Sequence, residues 1–380
     1  MRIIRTTGIR GIVLAASFSV GLGFLSQAFA ASVIVNPDGK LTYLETLGGD
    51  TSYAYGINDA GQAVGQSRTT GGYTHAFITG PNGVGMTDLG TLGKSSSFAT
   101  GINDAGQVVG YFYATGLTPH AFITGPNGAG MTDLGTLGGD SSRATGINDT
   151  GQVVGSSVIG GHEHAFITGP NGVGMTDLGT LGGDYSYAYG INNAGQVVGY
   201  SYAAGGNLHA FITGPNGVGM TDLGTLGGTF SSAAGINDRG QVVGNSDTVG
   251  GNSHPFITGP NGVGMTDLGT LGGYYNHATG INDAGQVVGY FVMAENDRTV
   301  AHAFITGPNG VGIAYLDSYA DLPEGRYLTQ ANGINNLGQV ISNISAVPEP
   351  ASYALMLAGL GLVGFMARRK KPAGDTVERG

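Results

Sequence analysis

The chain has 380 residues with 74 glycines, 41% hydrophobic and only 11% charged residues, and no cysteine, which excludes thiol catalysis, cysteine metal sites and disulfide staples. Its formal net charge is −10, but residues 32–346 hold 22 acidic and 7 basic residues (7 − 22 = −15), an acidity that opposes binding to nucleic-acid phosphate. Lys, Glu and Arg are sparse while Gly, Thr, Val and Tyr are plentiful, which disfavours helices and favours strands joined by tight turns.

Residues 1–30 read as a secretory signal peptide. Arg2, Arg5 and Arg10 form a basic leader, residues 11–25 are apolar and rich in small side chains, and Ala28-Phe29-Ala30 supplies a small-x-small site with cleavage before Ala31. The apolar run is short against the ~20 residues of a membrane span, which favours cleavage over anchoring.

The body begins with residues 32–44, SVIVNPDGKLTYL, which read as two strands around an Asn36-Pro37-Asp38-Gly39 turn. A tandem repeat follows. Gly-Ile-Asn begins at Gly56, Gly101, Gly146, Gly190, Gly235, Gly280 and Gly333, with spacings of 45, 45, 44, 45, 45 and 53. A second motif, His-(Ala/Pro)-Phe-Ile-Thr-Gly-Pro-Asn-Gly, begins at His75, His120, His164, His209, His254 and His302. The first unit predicts strands over residues 52–58, 62–67, 75–79 and 84–89, with turns at Asn58-Asp59-Ala60-Gly61 and Gly80-Pro81-Asn82-Gly83. Neighbouring Phe77 and Ile78 point to opposite faces, so both faces of the sheet are expected to be buried, as in stacked blades. Residues 331–345 supply a last pair of strands of the first-and-second type.

The opening hairpin is of the third-and-fourth type, so the two ends are complementary halves. This predicts an all-β fold, a seven-bladed β-propeller of four-stranded repeats about 45 residues long, with the half-blades paired to close the ring. The alternative is an open β-solenoid, which has no need of complementary halves and leaves sheet edges bare.

Beyond the repeat, Pro348-Glu349-Pro350 precedes an apolar run over residues 351–367 and the basic cluster Arg368, Arg369, Lys370, Lys371. The run is long enough to cross a bilayer with snorkelling flanks, with the basic cluster cytoplasmic. The order Pro-Glu-Pro, apolar span, basic cluster resembles the PEP-CTERM sorting signal of Gram-negative bacteria. That resemblance implies an exosortase-type processing enzyme as partner, transient residence in the inner membrane, and final location in the cell envelope or outside the cell. The recurring His-Ala-Phe, Asp-Leu-Gly-Thr-Leu-Gly-Gly and Gly-Ile-Asn-Asp-Ala-Gly-Gln-Val-Val-Gly resemble the bacterial extracellular HAF-repeat family, which implies an exported repeat protein and no defined activity. The expected organisation is a signal peptide at 1–30, a repeat propeller at 31–346, a sorting and transmembrane segment at 347–371 and a cytoplasmic tail at 372–380.

Chemistry is harder to place. The repeated histidines sit one per unit, too far apart for shared coordination of a metal, and each is expected to bond within its own blade. One acid per Asn-Asp turn falls short of the six to eight oxygens that calcium takes, so no cofactor is expected beyond weak calcium binding, and the Asx side chains are expected to cap their turns. Two segments depart from the repeat: residues 293–301, and residues 313–330 with Asp317, Asp321 and Glu324, the latter being the candidate ligand-binding acids. No Gly-x-Ser-x-Gly, His-Glu-x-x-His or Lys-containing phosphate loop occurs. Trp is absent, which leaves the 18 Tyr, notably Tyr53, Tyr55, Tyr111, Tyr113, Tyr185, Tyr187, Tyr189, Tyr200 and Tyr202, to stack on sugars, some of them packing between blades instead. The expected function is non-enzymatic: a structural or glycan-binding component of the extracellular matrix, with polysaccharide as partner and no nucleic acid. The alternatives are a polysaccharide hydrolase or lyase and a passive cation-binding surface protein.

Overall fold

The computed structural model describes residues 31–93, 96–273, 275–295 and 298–346. The fold is all-β and mainly antiparallel. In the first complete unit, strands Gly48–Ile57, Ala63–Thr69, Thr74–Thr79 and Met86–Gly90 form one four-stranded sheet in chain order. The same sheet recurs in the units whose first strands are Ser97–Ile102, Ser142–Ile147, Gly182–Ile191, Gly227–Ile236 and Tyr275–Ile281. One parallel bridge, Leu208 to Phe230, links the sheets that begin at Gly182 and Gly227.

The two ends of the body share a sheet. Ala31–Val35 runs antiparallel to Val340–Ala346, with Ala31 opposite Ile344 and Val35 opposite Val340, and Leu41–Tyr43 and Arg326–Ile334 complete it on either side. The expected pairing of complementary halves is therefore present in the register of the strands.

Alternating side chains bury both faces of each sheet, as the Phe77-Ile78 pair anticipated: Phe77 is 0% and Ile78 3% exposed. The core lies between sheets. Val64, Ala76 and Ile78 of one pack against Ala99, Val108 and Phe122 of the next, and equivalent clusters follow along the chain. The shared sheet packs against both neighbours, through Ile34 and Ile341 against Phe77 on one side and through Val33, Leu328 and Ile344 against Val288 and Ala303 on the other. Burying a side chain of this size contributes roughly 1.5–3 kcal/mol, so the inter-sheet clusters carry most of the cohesion.

Two local features depart from expectation. Gly80-Pro81-Asn82-Gly83 forms a 3₁₀ turn with both Asn82 (φ 54°) and Gly83 (φ 74°) left-handed, and Gly80 N–H donates to Val84 O, so the fourth strand starts at Met86 rather than at 84. Asn is the side-chain-bearing residue that best tolerates this region. The Asn36-Pro37-Asp38-Gly39 turn stands at the corresponding place in the shared sheet, yet there Asn36 N–H donates to Lys40 O and Gly39 N–H to Asn36 O. That is the pattern of the Asn58 turn, where Asn58 N–H donates to Gln62 O and Gly61 N–H to Asn58 O.

Candidate functional site

Every inner strand carries a bulge at one place. Ala54 pairs with Gly65 and Gly56 with Val64, leaving Tyr55 as an extra residue between them. The same shift leaves Thr100, Thr145, Tyr189, Ala234, Thr279 and Asn332 unpaired in the other units. A bulge re-aims the side chain that it frees. From Tyr55 through Gly56, Ile57, Asn58 and Asp59, the inner strands line a central channel in successive layers: a vestibule, a collar of seven isoleucines, and a mouth of Asn and Asp.

The Asn-Asp mouth is a hydrogen-bonded circuit. Asn58 Nδ2 donates to Asn103 O at 3.0 Å, Asn103 to Asn148, and so on through Asn192, Asn237, Asn282 and Asn335, whose Nδ2 returns to Asn58 O at 2.9 Å. A second circuit runs beside it: Asp59 N–H donates to Asp104 Oδ1, Asp104 N–H to Asp149 Oδ1, and the series ends with Asn336 N–H donating to Asp59 Oδ1. The Asn side chains cap their own turns, Asn58 Oδ1 accepting from Gln62 N–H, whereas the carboxylates accept from the turn of a neighbouring unit, a link between units that the Asx reading did not include. Burial, followed by the charges of Asp59, Asp149 and Asp238, pushes the Asp104 carboxyl upward against a backbone hydrogen bond that lowers it. Asn193 relieves the crowding by donating Nδ2 to Asp149 Oδ2 at 2.8 Å and to Asp238 Oδ2 at 2.9 Å. Among the described residues no group of three or more His, Cys, Asp or Glu has the arrangement to hold a metal ion.

The opposite end opens into a cavity of about 840 Å³ lined by the bulge residues Tyr55, Thr100, Thr145, Tyr189 and Thr279 and by Tyr200, Asn245, His277 and Tyr290 from the first and second strands. His277 stacks between Tyr275 and Tyr290, with centroids at 5.4 and 5.1 Å. Asn245 Oδ1 accepts from Ala278 N–H, which turns its Nδ2 toward His277 Nδ1 at 2.8 Å. His277 Nδ1 is then the acceptor, and the ring proton lies on Nε2. Burial holds this imidazole below its ordinary value, in keeping with a neutral ring. Burial likewise pushes the Tyr55 phenol up to about 12 and those of Tyr200 and Tyr290 upward, so all three stay protonated donors at neutral pH. Tyr187 and Tyr189 lie against Tyr200 at 4.8 and 5.7 Å. Beside them Arg143 sits 5.5 Å from the centroid of Tyr111 and 3.8 Å from Glu163, which accepts a hydrogen bond from Ser156 Oγ.

The repeated histidines lie in neither place. His75, His120, His164, His209 and His254 each hold an Asp of the fourth strand, Asp88, Asp133, Asp177, Asp222 and Asp267, through Nδ1 at 2.7–3.0 Å. The expectation of bonds within each unit holds for these five. The same carboxylates accept from the glycine two residues on, as Asp88 does from Gly90 N–H. In the sixth unit Tyr315 replaces the Asp opposite Phe304, and His302 packs against Tyr315 and Tyr327.

The candidate acids of residues 313–330 have separate surroundings. Asp317 Oδ1 accepts from Leu328 N–H at 2.8 Å within the 3₁₀ turn Leu316–Tyr319, with burial raising its carboxyl first and that hydrogen bond and His302 opposing. Asp321 N–H donates to Gly39 O, and Glu324 is exposed. This segment ties the sixth unit to the opening turn. Ala28 and Ala30, and the sorting residues Pro348, Glu349, Pro350, Arg368, Arg369, Lys370 and Lys371, lie outside the described residues, as does the expected transmembrane segment. Ala31 opens the first described strand. No helix among the described residues is long and apolar enough to cross a membrane.

The fold is that of propeller-like proteins. The β-propeller domain of the Trilobed protease from Pyrococcus furiosus aligns with 74% of this chain and 87% of its own, at 12% identity and a TM-score of 0.50. A puromycin-hydrolyzing peptidase from Mycobacterium tuberculosis aligns with 75% of this chain and 48% of its own, at 13% identity and a TM-score of 0.51. TolB from Acinetobacter baumannii aligns with 74% of this chain at 11% identity and a TM-score of 0.48, and the chain spans 63% of its length. No curated protein sequence matches. Residues 346–370 match the PEP-CTERM protein-sorting motif. That motif is a sorting signal for exosortase processing, so the protein is exported through the membrane toward the cell envelope or the extracellular space.

Proposed function

We propose that the chain is an exported HAF-repeat protein whose body, residues 31–346, is a closed seven-bladed β-propeller serving as a non-catalytic structural or glycan-binding component of the extracellular matrix. In this reading residues 1–30 are removed as a signal peptide, 347–371 direct sorting, and 372–380 stay cytoplasmic until processing. The observation that carries it is the sorting motif at residues 346–370, which starts where the last strand, Val340–Ala346, ends and so makes the whole repeat body its cargo. The return of the Asn circuit from Asn335 to Asn58 supports seven closed blades over an open solenoid. The carboxylates of the His-Asp pairs and of Asp317 are engaged in hydrogen bonds to backbone N–H groups, which supports a structural over a hydrolytic role.

The test is fractionation of the host's matrix. The protein is expected to sediment with extracellular polysaccharide and to return to the soluble fraction once that polysaccharide is digested, while polysaccharide incubated with the purified protein keeps its chain length. Recovery in the soluble fraction before digestion, or shortening of the polysaccharide, would overturn the reading.

A further inference from the structure

We propose that the vestibule is a binding site for a neutral oligosaccharide, which lies against Tyr55, Tyr189, Tyr200, Tyr290 and His277; the inference rests on the glycan-binding reading above and gives it a place. The first argument comes from the chain's own repeats. Six units share His-(Ala/Pro)-Phe-Ile-Thr-Gly-Pro-Asn-Gly, and seven share Gly-Ile-Asn, yet the residues on either side of the invariant Ala of the inner strand differ from unit to unit. Before it stand Tyr53, Phe98, Arg143, Tyr187, Ser232, His277 and, in the last unit, Gln330. The facing position on the second strand holds Gln66, Tyr111, Ser156, Tyr200, Asn245, Tyr290 and Asn343. The scaffold is copied while these positions vary, and Ser232, His277, Tyr200, Asn245 and Tyr290 among them line the cavity together with the bulge residues. Packing alone would reward the same residue in every copy, as it does at Phe77, Phe122, Phe166, Phe211, Phe256 and Phe304.

The second argument is chemical. A pyranose offers a face of C–H bonds and a rim of hydroxyls. The tyrosine rings provide stacking faces, and their protonated phenols and the Nε2–H of His277 provide donors to the rim, while Thr100, Thr145 and Thr279, whose hydroxyls donate to backbone carbonyls, are left to accept. No Asp, Glu, Lys or Arg lines the cavity, although the body as a whole is strongly acidic. The adjacent Arg143 and Glu163 pair with each other at 3.8 Å, so the lining offers an ionic ligand no free counter-charge and suits a neutral one. The cavity, about 840 Å³, falls within the roughly 300–1,000 Å³ of small-molecule sites, and its lining includes Leu208 and Phe230 as well as the bulge residues, a volume that accommodates more than one sugar ring.

The experiment uses the full chain in a detergent without a sugar headgroup, titrated with neutral hexasaccharides of β-1,4-glucan, β-1,3-glucan, α-1,4-glucan and β-1,4-mannan. Because the chain has no Trp, its fluorescence comes from its 18 Tyr, and the part of the response that the vestibule rings supply is the part lost in the Tyr variants. At least one hexasaccharide is expected to bind saturably. Tyr200→Ala and Tyr290→Ala should each weaken it by roughly tenfold or more. Tyr290→Phe, which keeps the ring, should lose less, and Tyr73→Ala on an exposed outer loop should lose nothing; melting curves identify any variant that fails to fold. Equal affinity in folded vestibule variants overturns the site while leaving glycan binding intact. Binding of the host's acidic polysaccharide with no response to any neutral hexasaccharide overturns the ligand class, again sparing the broader reading.

Discussion

Asn103 shows how much one repeated side chain accomplishes. Its Nδ2 donates to Asn148 O in the next unit and to Gln107 Oε1 in its own, while its Oδ1 accepts from Gln107 N–H. At 2% exposure none of these partners has water to turn to. Asn103→Ala is therefore expected to lose roughly 2–4 kcal/mol in chemical denaturation, from stranded buried groups rather than from lost volume. Its neighbour Asp104 should respond in the opposite sense. Burial and three nearby carboxylates raise its pKa in the folded state, so ionisation at neutral pH is a penalty that folding bears and the unfolded chain does not. The native chain should gain from this residue as pH falls through the raised folded value, with the gain complete below the unfolded value near 4. Asp104→Asn keeps the acceptor for Asp59 N–H and adds a donor of the kind that Asn193 already uses. It should raise the melting temperature at pH 7 by an increment worth about 0.5 kcal/mol, modest because the site is partly solvated, and the difference from wild type should vanish near pH 3. A variant that melts lower at pH 7 would contradict this account.

In the six complete units the sheet carries a glycine opposite the repeated Ala, where the shared sheet has Ser342, and repeat counting makes that glycine visible but does not explain it. Gly199 faces Phe211 across the second and third strands, and a methyl there would run into the carbonyl of Tyr187, drawn close by the bulge between Ala188 and Gly190. Gly199→Ala is expected to cost about 1–3 kcal/mol and to displace Tyr189, so a thermal melt and the hexasaccharide titration should both register it. The four-strand unit, its turns and its buried Phe-Ile pairs were legible in the sequence because period and turn residues are local signals. The opening turn is not legible in this way, because Asn-Pro-Asp-Gly resembles Gly-Pro-Asn-Gly in letters while its hydrogen bonds follow the Asn58 turn. The aromatic residues could be picked out, but not which of them assemble, since one extra residue in each inner strand decides what faces the channel. His277 went unnoticed: it stands outside the His-Ala-Phe motif, and its partner Asn245 lies 32 residues away in another unit. The candidate acids Asp317 and Asp321 stood out as departures from the repeat, yet a carboxylate turned to a backbone N–H reads in sequence like one turned to a ligand.

At the scale of the molecule, the joint between the two ends matters most. Val33, Ile34 and Val35 are nearly inaccessible and contribute to two inter-sheet clusters at once. Removing residues 31–44 strips those side chains and bares the edge of Val340–Ala346. Stability is expected to fall by roughly 5 kcal/mol or more, with the melt broadening as the units lose their common closure. A truncated body that melts as one sharp transition at the original temperature would mean that the circuit of units does not depend on its joint. The joint also sets a schedule. Ser32 bonds to Asn343 across 311 positions, so the contact that completes the body joins nearly its first residue to nearly its last. A pairing of such high contact order forms late. While the chain is still threading outward, its first strand has no partner and the early sheets have no closing neighbour. The polypeptide can therefore stay pliant enough for a translocation pore until its final repeat emerges, and completion of the fold becomes a report that export has finished.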